Sequence, residues 1–152
     1  MLSIWFADGK WSYGMICKNK LRHGFEVTFD ELKKLKQQFL RISNVIFSAE
    51  SLAMSPSNRQ EIEELIRYAA PFVNSAVLSV HENHGLSENE LSIMLSYLQR
   101  CSFVEMFIFQ QSEYLEEFVK YQLKYEYVKR VCLPENEWPV ELQKEVRRRW
   151  RW

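Results

Sequence analysis

The residues best suited to chemistry lie in the stretch HENH, where His81, Glu82 and His84 follow a short apolar run. Two such histidines could share a metal ion, and a neighbouring carboxylate could act on its water. On a loop, however, this spacing lacks the fixed geometry of ligands one helical turn apart, and the sequence offers no third ligand nearby. A Ser-His-acid arrangement of Ser51, His81 and Glu82 is weaker still, because no G-x-S-x-G elbow presents the serine. The four glycines (Gly9, Gly14, Gly24 and Gly85) exclude both a P-loop and a dinucleotide fingerprint. The expectation is a chain with no catalytic residues, no metal and no cofactor. A small metal-dependent hydrolase centred on His81 and His84 is the alternative.

A second chemical signal stands at the C-terminus, where Arg147, Arg148, Arg149 and Arg151 are interleaved with Trp150 and Trp152. Arginine forks with aromatic faces suit phosphate and stacked bases, so RNA binding through this tail is a further alternative. The plainer reading is that these cations complement the dipole of their own helix. Twenty basic and twenty acidic residues leave a formal net charge of zero, so no global field recruits nucleic acid or an acidic membrane surface. Three cysteines without CxxC spacing argue against a disulfide framework or zinc knuckle. No apolar run reaches the length of a membrane span, and the start lacks a basic, apolar leader pattern. The expected setting is intracellular, cytoplasmic or nuclear, without membrane contact.

What must position these residues is a repeated phrase. Ile62, Leu65, Ile66 and Tyr68 recur as Leu91, Met94, Leu95 and Tyr97, 29 positions on, and as Leu115, Phe118, Val119 and Tyr121, 24 later again. Apolar residues at i, i+3 and i+4 form one helix stripe, with the tyrosine at its edge and its hydroxyl wet. Capping boxes are expected at Thr28 with Glu31, Ser57 with Gln60, and Ser87 with Glu90, the first opening a helix near 29–39. Between helices lie runs of strand length at 44–49, 75–80, 104–109 and 128–133. Strict alternation of strand and helix implies right-handed crossovers and parallel pairing. Units of this size cannot bury their apolar faces alone and must stack on their neighbours.

Two phrases, LSVHENHGL at 78–86 and VCLPENEW at 131–138, resemble the leucine-rich-repeat phrase L-x-L-x-x-N-x-L, with Asn83 and Asn136 at the asparagine position. The longer pattern, including LSIMLSYLQRCSFVEMFIF and the Trp138-Pro139 pair, resembles the divergent leucine-rich-like repeats of nematode F-box-associated proteins over roughly residues 40–139, without an F-box. The resemblance implies substrate recognition for a ubiquitin ligase.

The N-terminus reads as a β-hairpin turning at Asp8-Gly9, with alternation at Trp11, Tyr13, Met15 and Cys17 and a third strand near HGFEVTF. Pro139 introduces a last helix carrying Leu142, Val146 and Trp150 on one stripe. The fold expected is a single α/β domain over 1–152: a β-hairpin or meander cap over 1–27, strand-helix repeats with parallel strands over 28–137, and a basic helix over 138–152. Loops after the strands would place Glu50, Ser51, His81, Glu82, Asn83, His84, Gln110, Gln111, Glu113, Glu135 and Asn136 along one sheet edge. That polar, mildly acidic rim is the expected partner-binding face. The expected function is non-catalytic recognition of another protein.

Overall fold

The computed structural model describes residues 1–7, 10–18, 24–47, 55–82, 84–134 and 138–149. Strand β1 (Leu2–Ala7) pairs antiparallel with β2 (Lys10–Lys18), Ala7 opposite Lys10. The expected turn at Asp8-Gly9 lies outside the described residues. On its other side β2 carries two short antiparallel partners, β3 (Gly24–Glu26) and β5 (Ser55–Ser57). The strands β4 (Ile42–Phe47), β6 (Val73–Val80), β7 (Phe103–Ile108) and β8 (Arg130–Cys132) follow in parallel, and β1 joins β4 in parallel as well.

The spatial order of the parallel strands is the order of the chain, β1-β4-β6-β7-β8. Right-handed crossovers in unbroken order put every crossover helix on one face of the sheet. Those helices are α2 (Arg59–Ala69), α3 (Glu88–Leu98) and α4 (Glu113–Leu123), preceded by α1 (Phe29–Lys34) and followed by α5 (Val140–Arg149). Their stripes meet the inward strand residues in one apolar cluster, including Ile62, Leu65, Leu91, Leu95, Leu115 and Val119. Leu2, Val45, Leu78, Met106 and Val131 form one inward row across five strands.

The opposite face is different. Asn44, Val77, Glu105 and Arg130 form one outward row, and Ile46, Ser79, Phe107 and Cys132 the next. These side chains are half-buried or exposed, and the apolar ones stay out of the core cluster. Parallel sheets are ordinarily covered on both faces and read as continuous apolar runs. Here the alternation of buried and half-buried positions marks a sheet whose second face no described helix covers.

Several expectations need correction. Thr28-Glu31 and Ser87-Glu90 form their boxes, but the middle one is Asn58 with Glu61, one residue later than expected. Ser57 is the last residue of β5, and its hydroxyl donates to Glu61 at 2.6 Å, supporting the cap without being it. The first helix ends at Lys34, where Leu35 turns extended and leads to a 3-10 turn over Gln37–Phe39. Leu35 is therefore exposed. Strand β5 was not expected at all.

The three tyrosines do occupy matching places, each in the last turn of its helix and half-buried. Their hydroxyls differ. Tyr97 donates to Glu63 at 3.3 Å and accepts from Arg67 at 3.1 Å, linking α3 to α2, and Tyr121 accepts from Tyr125 at 2.9 Å. The ring of Tyr68 lies between Phe29 and Phe72, and its buried hydroxyl has no partner among the described residues, contrary to the expected wet position.

Candidate functional site

The carboxyl ends of the parallel strands carry the expected rim. Glu50, Ser51, Asn83, Glu135 and Asn136 lie outside the described residues. His81, Glu82, Gln111 and Glu113 are exposed and Gln110 is half-buried. The sheet ladder runs one step beyond the strand ends, since His81 N donates to Phe47 O at 2.9 Å and Phe109 N to Val80 O at 2.8 Å. Alternation then turns both side chains outward. Their rings lie 5.2 Å apart between centroids, and Phe109 is 40% exposed. The rim thus continues the open face through Phe107, whose ring lies 5.3 Å below the Arg130 guanidinium.

His84 departs from its expected place on this rim, being only 1% exposed. Its Nδ1 accepts from Leu86 N at 2.9 Å, and Gly85 between them takes φ 77, where glycine meets no Cβ clash. This tight turn folds the ring inward while His81 points out, so the two histidines do not converge. No group of three or more His, Cys, Asp or Glu among the described residues could hold a metal ion.

No well-formed hydrogen bond from a described residue reaches His84 Nε2. Burial lowers the pKa of the ring, nearby Gln110 opposing the shift and His81 adding to it. The folded state thus resists a proton that the unfolded chain accepts near pH 6.5, and stability contributed by neutral His84 is lost as pH falls below that value. His84→Asn, which can keep the acceptor for Leu86 N in an Asx-type turn, removes the titration. Its melting temperature is expected to fall less than that of the wild type between neutral pH and about pH 5. Equal falls would refute the assignment.

At the C-terminus, Leu142 is buried and Val146 packs against the core, as the expected stripe requires. Arg147, Arg148 and Arg149 are exposed in the last turn of α5, where Glu145 pairs with Arg148 at 2.7 Å and Arg149 at 3.1 Å. Trp150, Arg151 and Trp152 lie outside the described residues.

A cavity that sequence reading missed opens at the other edge of the sheet, where α2, α3 and α4 end and β6 and β7 begin. It measures about 680 Å³ and admits Arg67, Asn74, Tyr97, Arg100, Tyr125 and Tyr127 to its wall. Arg67 stacks over Tyr97 at 5.0 Å, and Tyr125 stacks on Tyr127 at 5.1 Å with an interplanar angle of 9°. Burial pushes the Cys101 thiol up to about 11, so this wall residue stays protonated, its Sγ donating to Ala70 O at 3.3 Å.

At the cavity the ladder is irregular. Ile42 opposes Val73 but Asn44 opposes Val77, so β6 carries extra residues, and among them Ser75 takes φ 51. A left-handed serine costs roughly 1–2 kcal/mol and persists only where its surroundings impose it. Ser102 Oγ imposes it here, accepting from Ser75 N at 3.0 Å and donating to Asn74 Oδ1 at 2.8 Å. The repeated tyrosine was the one sequence signal for this place, since Tyr97 and Tyr121 both reach its wall. Comparison with known protein families, characterised proteins and solved structures finds no match to the chain.

Proposed function

We propose that this chain is a non-catalytic protein-recognition module that receives its partner on the open face of the parallel sheet and the adjoining rim. One observation carries this reading: no described helix covers the second face of the sheet, where Ile46, Val77 and Phe107 are half-buried and Phe109 is exposed, all outside the core cluster. Apolar side chains left outside the core among polar neighbours, as in these two rows, suit a second surface of mixed character. The exposed carboxylates Glu82 and Glu113 at the rim favour a partner whose apolar side chains are flanked by lysine or arginine. The unbroken strand order and one-sided helices also support a leucine-rich-like stack, with the β1-β2 hairpin as its cap. A ubiquitin-ligase substrate is the form of partner that the F-box-associated resemblance suggests.

The test compares variants as bait in native extract, with captured proteins quantified by mass spectrometry. Glu82→Lys with Glu113→Lys, and separately Phe109→Ser, are expected to lose specific captures. The charge pair should cost no more than about 1 kcal/mol of stability, because exposed and first-turn charges contribute that little. Replacing Arg147, Arg148 and Arg149 by Gln should leave capture intact. Capture lost through the arginines and indifferent to the rim would overturn the reading in favour of RNA or an acidic peptide.

A further inference from the structure

The cavity lies at the amino edge of the strands, opposite the rim, and its wall combines features that neither packing nor recognition at the rim requires. Its polar groups are mostly donors. A guanidinium has five N–H groups and no acceptor. Arg67 has one Nη2 engaged by Tyr97, while exposed Arg100 has no carboxylate partner among the described residues. Asn74 turns its Oδ1 to the Ser102 hydroxyl, leaving its amide nitrogen as a further donor. Glu63, the carboxylate tied to this wall through Tyr97, is itself paired with Arg59 at 2.8 Å.

Three helices end here, and the negative ends of their dipoles oppose an anion. Those ends are not bare. Ala70 O receives Cys101 Sγ and Val73 N, and Gln122 Nε2 donates to both Gln99 O at 2.9 Å and Cys101 O at 3.3 Å. The whole charge on Arg100, together with that of Arg67, which Glu63 and Glu64 of the same helix partly offset, still favours an anion over the screened half-charges. Beside them the Tyr125-Tyr127 stack offers a flat apolar surface, and Tyr125 is 38% exposed.

Two further observations describe this cavity, which is more open to solvent than enclosed. Its volume lies within the range typical of small-molecule sites, roughly 300–1,000 Å³. The wall residue Asn74 is also followed directly by the positive-φ residue Ser75, held by the Ser102 hydroxyl within a strand irregularity. Strained residues and bulges concentrate where a side chain must be aimed. Here they aim Asn74.

We propose that this cavity binds a small ligand in which an aromatic ring is joined to a phosphate, the phosphate held by Arg67, Arg100 and the Asn74 amide and the ring lying against the tyrosines. A nucleoside monophosphate and a phosphorylated phenol share that chemistry. The experiment is isothermal titration of the full chain with AMP, phenyl phosphate, adenosine and inorganic phosphate.

At least one of AMP and phenyl phosphate is expected to bind about ten-fold or more tightly than adenosine or phosphate alone, since charge-assisted bonds and stacking must act together. The tighter of the two identifies the source of the ring. Arg100→Gln should weaken that binding about ten-fold without moving the melting temperature, because Arg100 is exposed and unpaired by any described carboxylate. Tyr125→Ser should weaken the ring-bearing ligands and leave inorganic phosphate unchanged. No saturable binding of either aromatic phosphate at millimolar concentration would overturn the proposal. So would binding indifferent to Arg100→Gln, or adenosine binding as tightly as AMP.

Discussion

Leu95→Ala is expected to lower the free energy of unfolding by about 2–5 kcal/mol. Leu95 is fully buried on α3, the middle helix of three, so the helices on both sides and the sheet beneath bound the cavity that would be left. A site enclosed from several directions relaxes poorly, which places the loss toward the upper part of that range. Against a total of roughly 5–15 kcal/mol for a domain, the shift would be plain in a urea titration as a lower midpoint with an unchanged slope. An unchanged midpoint would remove Leu95, and with it the repeated stripe, from the core.

The second large effect is expected at Gln122, a fully buried polar side chain. Its Nε2 donates to Gln99 O and Cys101 O beyond the end of α3, and its Oε1 accepts from Tyr127 at 3.2 Å. One amide thereby satisfies carbonyls of one unit from the helix of the next. Gln122→Leu nearly conserves volume, so its cost comes from the carbonyls and the hydroxyl left without their partner, about 1–3 kcal/mol. Gln122→Glu should be worse. It sets an acceptor against two carbonyls and buries a carboxyl group where the amide donated. Chemical denaturation of both variants tests the order, and a Leu variant as stable as the wild type would mean that the amide holds nothing.

Gln122 also shows where sequence reasoning stops. It falls on the stripe defined by Leu115 and Phe118, so its position was legible as core even though its residue type was not. The bonds that make a buried glutamine tolerable run to the end of another helix, and no periodicity encodes them. Helices and strands themselves were legible because burial on one face leaves periods that the chain must carry. Ser57 was mistaken for a cap because both it and Asn58 can cap, and only the start of the helix at Arg59 chooses between them. His84 could not be separated from His81 by type or spacing, since a glycine turn sends one ring inward. The cavity was the least legible feature. It draws on the ends of three helices and the starts of two strands, and only stacking brings Arg67 and Arg100 to one wall.

A strand order that repeats the chain order has a consequence for synthesis on the ribosome. The strand β1 lacks its parallel neighbour until residues 42–47 have emerged, but from then on every new strand finds a finished edge waiting. At roughly 5–20 residues per second, the next unit arrives a few seconds later, whereas helices and hairpins form in microseconds. The nascent chain can therefore settle one layer at a time, with no need to hold distant segments apart. The same schedule exposes the growing edges of β4, β6 and β7 in turn, each for seconds, to any neighbouring nascent chain. Translation ends that exposure with β8, three residues beginning at Arg130, an edge too short and too charged to template another strand.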